Sequence, residues 1–227
     1  MRGSREQRAE PALSAANGSR GGGDAFAAIE AGLAAVAERL RESTVQVRVG
    51  GRGGGAGIVW PGRPGIVVTN AHVIGRAGRA AVETADGRVL EAPVVRRDPL
   101  RDLAALALPP GALPPPVTLG DCAALRPGEL VLAVGSPWGV PGALSVGVVH
   151  SKGPGKGPRG PLINQGPTWV QADVRLAPGN SGGPLADARG RVVGVNAMVV
   201  NGRLALAVPC DEVEHFLAAL GTPRAAA

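Results

Sequence analysis

Serine, histidine and aspartate stand in this 227-residue chain in surroundings suited to nucleophilic catalysis. An acyl-transfer site needs a nucleophile, a base that takes its proton, a carboxylate that orients the base, and backbone N–H groups that hold the oxyanion. The run Gly179-Asn-Ser-Gly-Gly183 supplies a candidate nucleophile, because its glycines permit a sharp turn and close approach of a substrate. Such a turn can direct the N–H groups of Gly179 and Ser181 at one point. Ser181 is therefore the predicted nucleophile, and an ordinary glycine-serine turn is the alternative.

The base is sought among the three histidines of the chain. His215 falls on the charged face of a predicted C-terminal helix, and His150 ends a predicted strand beside a glycine- and proline-rich loop. His72 directly follows the apolar stretch Ile66–Ala71 and has small neighbours, which leave an imidazole accessible yet fixed. These positions favour His72 as the general base, although a histidine taken alone is more often structural.

The orienting carboxylate has two candidates in the stretch Arg96–Leu106. Asp102 leads directly into an apolar strand, so its carboxylate can be buried against an imidazole. Asp98 precedes Pro99 and is typical of a turn residue. We therefore prefer Asp102 as the residue that orients the base.

The serine turn also fits Gly-x-Ser-x-Gly, the nucleophile elbow of α/β-hydrolases. That fold requires an acid and a histidine after the serine, but few residues follow Ser181, and their histidine, His215, lies in a predicted helix. The fold also requires helices between parallel strands before the serine, where this chain shows strands alone. We reject the elbow. We also reject a phosphate-binding loop in the exposed Ser151–Pro167 segment, because His150 and Gly157 stand where the motif requires a glycine and a hydroxyl residue.

The elements that must position these residues are mostly strands. Gly (36) and Pro (21) are spread between short apolar runs, which indicates many tight turns and an all-β chain. Strands at this spacing are typical of a sandwich or barrel, and Ala112–Pro116 is predicted to link two halves because prolines cannot hold ladder hydrogen bonds. The predicted strands are Thr44–Val49, Ala56–Trp60, Gly65–Thr69, Ala80–Thr84, Arg88–Val95, Leu103–Leu108, Glu129–Val134, Leu144–His150, Trp169–Ala172, Val192–Val199 and Arg203–Val208.

Both ends of the chain differ from the strand-rich middle. Residues 1–23 are predicted to form a disordered tail, because they are polar and have little apolar content. Residues 24–42 show helical spacing of apolar positions behind Asp24, a plausible N-cap, and predict an amphipathic helix that docks on the protein. A short helix over Asp211–Leu220 is predicted to close the chain, and residues 221–227 form a tail.

Charge and composition bear on partners and compartment. A net charge of +6 and a pI of about 10.8 suit nucleic acid, but aromatics are only 2% and no recognition motif is present, so no nucleic-acid partner is expected. No run approaches about 18 apolar residues, so no transmembrane segment is expected. The N-terminus lacks the apolar core of a signal peptide, which makes a cytoplasmic location the default. Cys122 and Cys210 are predicted to be buried small hydrophobes, and neither a cofactor nor a metal is expected.

Three stretches of the sequence resemble the catalytic blocks of the HtrA/Deg family, a branch of the trypsin-like serine proteases. They are Thr69–Ile74, Asp98–Ala104 and Ala177–Leu185, and the resemblance, with weaker matches between them, spans about residues 44–220. It implies two perpendicular six-stranded antiparallel β-barrels, over residues 43–112 and 113–220, with the site in the cleft between them.

The resemblance also implies a role for each residue of the site. His72 is the general base and then acid, Asp102 orients it, and Ser181 is the nucleophile. The N–H groups of Gly179 and Ser181 form the oxyanion hole, with Asn180 between them. The expected function is therefore that of a serine endopeptidase acting on protein or peptide substrates, and a non-catalytic, chaperone-like binding module on the same fold is the alternative.

The chain departs from the family's pattern in places that bear on specificity and assembly. It shows neither the PDZ domains common in the family nor an export signal. Arg175 stands where the base of the primary specificity pocket is expected, so it either selects acidic substrate side chains or points to solvent. Asn196, Ala197 and Met198 are expected to form another wall of that pocket and to favour aliphatic side chains. Relatives often form trimers through N-terminal contacts, so the resemblance implies two alternatives for Phe26–Leu40, contacts within a homo-oligomer such as a trimer or docking on its own barrel.

Overall fold

The computed structural model describes residues 19–50, 54–111, 113–139, 142–154, 168–200 and 202–220. The chain divides into two compact units, residues 1–32 and 33–227. The described part of the first unit, residues 19–32, is helical and belongs to helix α1, Ser19–Glu42. Most of the predicted N-terminal tail, most of the Ser151–Pro167 loop and the tail at 221–227 lie outside the described residues.

The first six strands close into an antiparallel barrel in the spatial order β1-β2-β3-β6-β5-β4. A single helical turn, α2 (Ala71–Ile74), follows the third strand. Along β1 the side chains of Val45 and Val47 are buried while Gln46 and Arg48 are more exposed, which is the alternation that a strand with one apolar face produces. The strands are β1 Thr44–Arg48, β2 Gly54–Val59, β3 Ile66–Thr69, β4 Arg79–Glu83, β5 Val89–Asp98 and β6 Leu103–Ala107.

The other six strands close into a second antiparallel barrel in the order β10-β11-β12-β9-β8-β7. A short 3-10 turn, Pro137–Gly139, follows β7, and helix α3 (Cys210–Ala218) follows β12. The all-β fold of two six-stranded barrels with a helix at each end is confirmed. The strands are β7 Leu130–Gly135, β8 Ala143–Pro154, β9 Thr168–Asp173, β10 Pro184–Asp187, β11 Val192–Val200 and β12 Leu204–Pro209.

The cores contain mainly Val, Ala and Leu, as the shortage of aromatic residues requires. Trp60, Trp169 and Phe216 are the largest side chains that are fully buried among the described residues. Cys122 and Cys210 are free and buried in the larger core cluster, so the prediction that they are buried small hydrophobes is confirmed.

Helix α1 joins the second core over its last turns. Val36 and Leu40 are buried in the larger core cluster, which consists mostly of second-barrel residues and includes some of the first barrel, and Leu33 packs against it. Arg41 donates from Nε to the carbonyl of Gly142 at 2.8 Å, which ties the end of the helix to the loop after the 3-10 turn. From Leu33 onward the helix therefore docks on the protein, as predicted. Among the described residues, no helix combines the length and apolar character needed to cross a membrane.

Several boundaries and one strand differ from the sequence-based predictions. Strand β8 continues to Pro154, so the first four residues of the predicted Ser151–Pro167 loop are strand, because they pair with residues 168–171 of β9. Strand β5 continues to Asp98 and not only to Val95, because its last residues pair with β6.

Helix α1 begins at Ser19, before the predicted cap Asp24, and α3 begins at Cys210, one residue before the predicted cap Asp211. Strand β10 was not predicted, because its four residues begin at Pro184 directly after the glycine-rich serine turn. Proline has no N–H to donate but is tolerated at the first position of a strand, and Pro184 there pairs with Val195.

Candidate active site

His72 lies in the helical turn α2, directly beyond the end of β3. Asn70 precedes this turn in extended conformation and is fully buried, and its Nδ2 donates to the carbonyl of Asp102 at 2.9 Å. This bond joins the start of the histidine turn to the aspartate across 32 positions of sequence. The His72 side chain is nevertheless 48% exposed, so the imidazole is held at its base and open to solvent on one side, as predicted.

Asp102 holds His72 by two hydrogen bonds. Its Oδ1 accepts the backbone N–H of His72 at 3.0 Å, and its Oδ2 lies 2.8 Å from the ring Nδ1 of the same residue. The Asp102 side chain is only 5% exposed. A carboxylate beside Nδ1 favours the tautomer with its proton on Nδ1, which leaves Nε2 as a hydrogen-bond acceptor. Asp102 can thus orient the imidazole of a general base.

Asp98 has the turn role that its sequence context predicts. Its Oδ1 accepts the backbone N–H groups of Leu100 at 2.9 Å and of Arg101 at 3.1 Å. Asp102, and not Asp98, is therefore the carboxylate that contacts His72, and its catalytic role stays a prediction.

The serine turn depends on glycine at two positions. Gly179 has a φ of +107° and Gly182 a φ of +87°, a region that L side chains rarely adopt. A Cβ atom on Gly179 would lie 2.1 Å from the carbonyl oxygen of Ser136, and one on Gly182 would lie 2.1 Å from that of Ala56. Any side chain at either position would therefore displace the backbone around Ser181.

Backbone hydrogen bonds join this turn to both barrels. The N–H of Ala56, in β2, donates to the carbonyl of Ser181 at 2.7 Å, and the N–H of Gly182 donates to the carbonyl of Asn196, in β11, at 2.7 Å. The carbonyl of Ala56 also accepts a hydrogen bond from the hydroxyl of Thr69 at 2.7 Å, and Thr69 lies three residues before His72. The backbone of Ala56 therefore contacts both the serine turn and the end of the strand that leads to His72.

The hydroxyl of Ser181 is directed at a backbone carbonyl. Its Oγ donates to the carbonyl oxygen of Ala197 at 2.8 Å. Within the part of the chain that the structure describes, no hydrogen bond joins Ser181 Oγ to His72. The structure thus brings His72 and Asp102 into contact, and Ser181 lies with its hydroxyl turned to β11.

Two backbone amides of the turn are available to an anion. In the hydrogen bonds of the described residues, neither the N–H of Gly179 nor that of Ser181 donates to a protein acceptor. The N–H of Asn180 is engaged, because it donates to the carbonyl of Ala177 at 3.0 Å. Asn180 is buried, and its Oδ1 has no partner. Of the three predicted oxyanion residues, Gly179 and Ser181 therefore present free amides, while Asn180 separates them along the chain.

A cleft of about 960 Å³ lies beside this turn. Its lining includes Arg48 and Arg79 of the first barrel, and Trp138, Pro178 and Gly179 of the second. Trp138 is 79% exposed, and its backbone N–H donates to the carbonyl of Pro178 at 3.1 Å. The sequence analysis assigned no role to Trp138. The available signal was an aromatic residue in a Ser-Pro-Trp-Gly turn of a chain that has few aromatic residues.

The residues predicted to bind the substrate side chain fall into different surroundings. Arg175 is exposed and lines a separate cavity of about 250 Å³ together with Asp173 and Arg203. Met198 is partly exposed on β11. The substrate contacts of both residues stay predictions.

Asn196 and Ala197 have contacts that position the serine turn. Asn196 is fully buried, and its Nδ2 donates to the carbonyl of Pro184 at 2.8 Å. The backbone of Asn196 accepts from Gly182, and its N–H donates to the carbonyl of Gly183 at 2.8 Å. Ala197 is buried and accepts the Ser181 hydroxyl. Sequence reasoning assigned both residues to the pocket wall and missed these bonds, which join positions far apart in the sequence.

Two closed six-stranded barrels, a buried aspartate that fixes a histidine, and a serine between required glycines together define a peptidase of the trypsin-like class. A family model described as "Trypsin-like peptidase domain" matches residues 55–195, more than half of the chain, and the chain belongs to this family.

The relatives that it matches include several serine proteases named HTRA. "Serine protease HTRA1" of Xenopus laevis is 35% identical over 154 residues, 68% of this chain and 33% of the relative. "Serine protease HTRA2, mitochondrial" of Bos taurus is 34% identical over 196 residues, 82% of this chain and 42% of the relative. "Putative serine protease HhoA" of Synechocystis is 34% identical over 182 residues, 77% of this chain and 45% of the relative. The resemblance to the HtrA/Deg family is thus confirmed, and the chain spans from a third to less than half of the length of these relatives.

Proposed function

We propose that this chain is a serine endopeptidase that hydrolyses peptide bonds of protein substrates through His72, Asp102 and Ser181. The observation that carries the proposal is the pair of hydrogen bonds by which the buried Asp102 holds His72 at its backbone N–H and at Nδ1. This arrangement leaves Nε2 of an accessible imidazole free to take a proton, which is the requirement for a general base.

The first half of the reaction forms an acyl-enzyme. The Ser181 hydroxyl leaves the carbonyl of Ala197, donates to Nε2 of His72 and loses its proton to it as Oγ bonds to the carbonyl carbon of the substrate. The free N–H groups of Gly179 and Ser181 stabilise the negative charge that develops on the substrate oxygen. His72 then gives the proton to the departing amine, and the C–N bond breaks.

The second half releases the acyl group. A water molecule gives a proton to His72 as its oxygen bonds to the ester carbon, and the same two amides again hold the oxyanion. The bond from this carbon to Ser181 Oγ then breaks, and His72 returns the proton to Oγ. Water is consumed, a carboxylic acid and an amine are the products, and the serine is regenerated.

An edge of strand β11 offers a place for the substrate backbone. Strand β10 pairs with β11 at residues 192–195, and β12 pairs with it as far as Val200. Beyond Asn196, β11 has no ladder partner on the β10 side among the described residues. An extended peptide that paired with this edge would pass Ala197, whose carbonyl accepts a hydrogen bond from the Ser181 hydroxyl. The partly exposed Met198 on this edge supports a preference for aliphatic side chains.

Cleavage of an unfolded protein such as reduced casein tests the proposal. The wild-type chain should generate new peptide termini, and Ser181→Ala should lose activity by roughly 10⁴- to 10⁶-fold. Ser145→Ala, which removes a serine hydroxyl in β8, is the matched control and should cleave like the wild type. His72→Ala should be as inactive as Ser181→Ala, while His215→Ala in α3 should retain activity. Full activity of Ser181→Ala would refute the assignment of the nucleophile.

One observation favours a second candidate, a non-catalytic binding module on the same fold. The Ser181 hydroxyl bonds to Ala197 and not to His72 in the described structure. If this arrangement persists when peptide binds, the chain holds a peptide without cleaving it. Retention of intact casein by both wild type and Ser181→Ala, with no new termini, would favour this function over hydrolysis.

A further inference from the structure

Asp102 stands at the end of a short turn between two strands of the first barrel. Asp98, the last residue of β5, pairs with Leu103, the first residue of β6. Asp102 itself has a φ of +55°, in the left-handed region that non-glycine residues rarely adopt. Such a conformation persists where the surrounding contacts determine it. The direction of the Asp102 carboxylate therefore depends on what holds this turn.

Arg101, the residue directly before Asp102, closes the turn on its inner side. Its Nη1 donates to Oδ2 of Asp98 at 2.8 Å, and its backbone N–H donates to Oδ1 of the same residue at 3.1 Å. Burial of Asp98 acts against its charged form, but the hydrogen bonds from Arg101 and Leu100 outweigh burial and lower the pKa of this carboxyl. The guanidinium and the ionised carboxylate thus form one unit within the turn.

The same guanidinium reaches a residue of the closing helix. Arg101 Nε donates to Oε2 of Glu212, in the first turn of α3, at 3.1 Å across 111 positions of sequence. The carboxylates of Asp98 and then Glu212 raise the pKa of Arg101, so the guanidinium stays charged. Glu212 therefore contacts the side chain of Arg101, and Arg101 directly precedes Asp102 in the chain.

Helix α3 is anchored in the second barrel. Val213, Phe216 and Leu217 are buried in a core cluster that consists mostly of second-barrel residues and also includes Leu103 and Ala105 of β6. Ser181 belongs to the same barrel, whereas His72 and Asp102 belong to the first. The ion pair of Arg101 and Glu212 thus joins the turn that carries Asp102 to a helix that packs on the barrel that carries the serine.

Besides its apolar packing against β6, α3 makes two side-chain contacts with the first barrel that do not involve this turn. Trp60 Nε1 donates to Oε1 of Glu214 at 2.6 Å, and the guanidinium of Arg96 lies 5.2 Å from the ring centroid of Phe216. Both can stabilise the fold, but neither involves a residue of the connection between Asp98 and Leu103. Glu214 therefore offers a matched comparison with Glu212, on the same helix and with the same charge.

We propose that Glu212 is a positioning residue, which acts through Arg101 to set the direction of the Asp102 carboxylate and so of the His72 imidazole. The inference rests on the proposed function, because it concerns the orientation of the general base. The side chains of Arg101 and Glu212 are 44% and 24% exposed, and ion pairs of this kind add little to stability. Loss of Glu212 should therefore change the rate of the reaction more than the stability of the fold.

The first test compares Glu212→Gln with Glu214→Gln in the full chain. With a fluorogenic peptide, Glu212→Gln should lower kcat by roughly 3- to 10-fold with KM unchanged, because a displaced catalytic group slows the chemical step. Glu214→Gln should keep the wild-type kcat, even if its thermal midpoint falls below that of Glu212→Gln. Equal kcat values for the two variants would overturn the proposal.

The second test asks whether the effect passes through Arg101. In an Arg101→Ala background, Glu212→Gln should cause no further loss of kcat, because the two residues act as one unit. Arg101→Lys should restore activity in part, since lysine keeps the charge but lacks the fork that holds two carboxylates. Additive effects of the Arg101 and Glu212 substitutions would show that Glu212 acts independently of Arg101 and would refute the mechanism.

The third test separates this proposal from the proposed function. The proton on His72 Nδ1 bonds to Asp102, so its NMR resonance reports the orientation of the pair without turnover. Glu212→Gln should shift this resonance, and Glu214→Gln should leave it in place. If the wild type cleaves no substrate but the shift is observed, the proposed function fails and the positioning role stands. If the wild type is active and the resonance does not move, the positioning role alone is refuted.

Discussion

Asp102 binds His72 twice, with Oδ1 on the backbone N–H at 3.0 Å and Oδ2 at 2.8 Å from the ring Nδ1. The first bond fixes the main chain of the histidine and the second fixes its ring. Because the carboxylate is buried and the imidazole is half exposed, the pair combines a rigid base with an open face toward a substrate. The catalytic proposal follows from this relationship.

Replacing Asp102 by asparagine should abolish most of the activity without unfolding the protein. An amide in place of the carboxylate can still accept the backbone N–H of His72, but it no longer stabilises the imidazolium or fixes its tautomer. We expect kcat to fall by roughly 10⁴-fold with little change in KM. Steady-state hydrolysis of a peptide measures this, with Asp98→Asn as the comparison. Wild-type kcat in Asp102→Asn would contradict the role of the carboxylate.

Substitution of Gly182 by alanine should destabilise the protein because the new Cβ meets the carbonyl of Ala56 at 2.1 Å. Gly87 is the matched control: its φ of +83° is close to the +87° of Gly182, and a Cβ there meets nothing within 4 Å. Gly87→Ala should cost about 1 kcal/mol, or roughly 2–4 °C in thermal midpoint, from backbone strain alone.

Gly182→Ala should lower the thermal midpoint more than Gly87→Ala does. Both variants have similar backbone strain, but in Gly182→Ala the new Cβ also clashes with the backbone of Ala56. Thermal unfolding followed by circular dichroism measures both variants. Equal midpoints would mean that the serine turn adapts to a side chain at position 182, against the tight fit described above.

The twelve strands and the site were predictable to different degrees. Eleven strands could be predicted because most of them are short apolar runs that glycines or prolines separate, a pattern set by local sequence. The His72–Asp102 pair could be predicted because each residue adjoins an apolar strand that brings it to the edge of a barrel. Strand β10 could not, because Pro184 and the glycines before it are typical of a loop.

Contacts between distant segments were beyond sequence reasoning. The bond from Ser181 Oγ to the carbonyl of Ala197 depends on how β11 passes the serine turn, and any residue at position 197 supplies a carbonyl. The ion pair of Arg101 and Glu212 joins charged residues that both look like ordinary surface positions in the sequence. Both contacts arise only when the strands have closed into barrels and α3 has packed against them.

The ion pair of Asp98 and Arg101 should make the stability of the fold depend on pH in the acid range. The pKa of Asp98 lies below its usual 3.8, so between these two values the folded chain binds fewer protons than the unfolded chain. The contribution of Asp98 to stability is complete at pH values above its pKa in the unfolded chain. It is lost as the pH falls through the pKa of Asp98 in the folded chain.

Urea unfolding at a series of pH values measures this contribution against Asp98→Asn. The difference in unfolding free energy between wild type and variant should be constant above about pH 5 and should shrink below pH 3.8. Asp121→Asn serves as a comparison, because Asp121 accepts the backbone N–H groups of Ala123 and Ala124 in another turn. A difference for Asp98→Asn that stays constant down to about pH 2 would contradict the lowered pKa.

Arg175 should have little influence on the choice of substrate. Its side chain is exposed and lines a cavity with Asp173 and Arg203, apart from the cleft beside Gly179. Profiling of a peptide library should show a preference for aliphatic side chains before the cleaved bond in the wild type, in Arg175→Ala and in the control Arg203→Ala. A preference for acidic side chains that disappears in Arg175→Ala alone would show instead that this residue forms the specificity pocket.

Labelling with a fluorophosphonate tests the central claim most directly, because the reagent reacts with a serine only where a base and an oxyanion hole activate it. We expect a single covalent adduct on Ser181 of the wild-type chain, located by mass spectrometry of the peptides. The adduct should be absent from Ser181→Ala and strongly slowed in His72→Ala. A wild-type chain that stays unlabelled, or an adduct that persists in Ser181→Ala, would contradict the account.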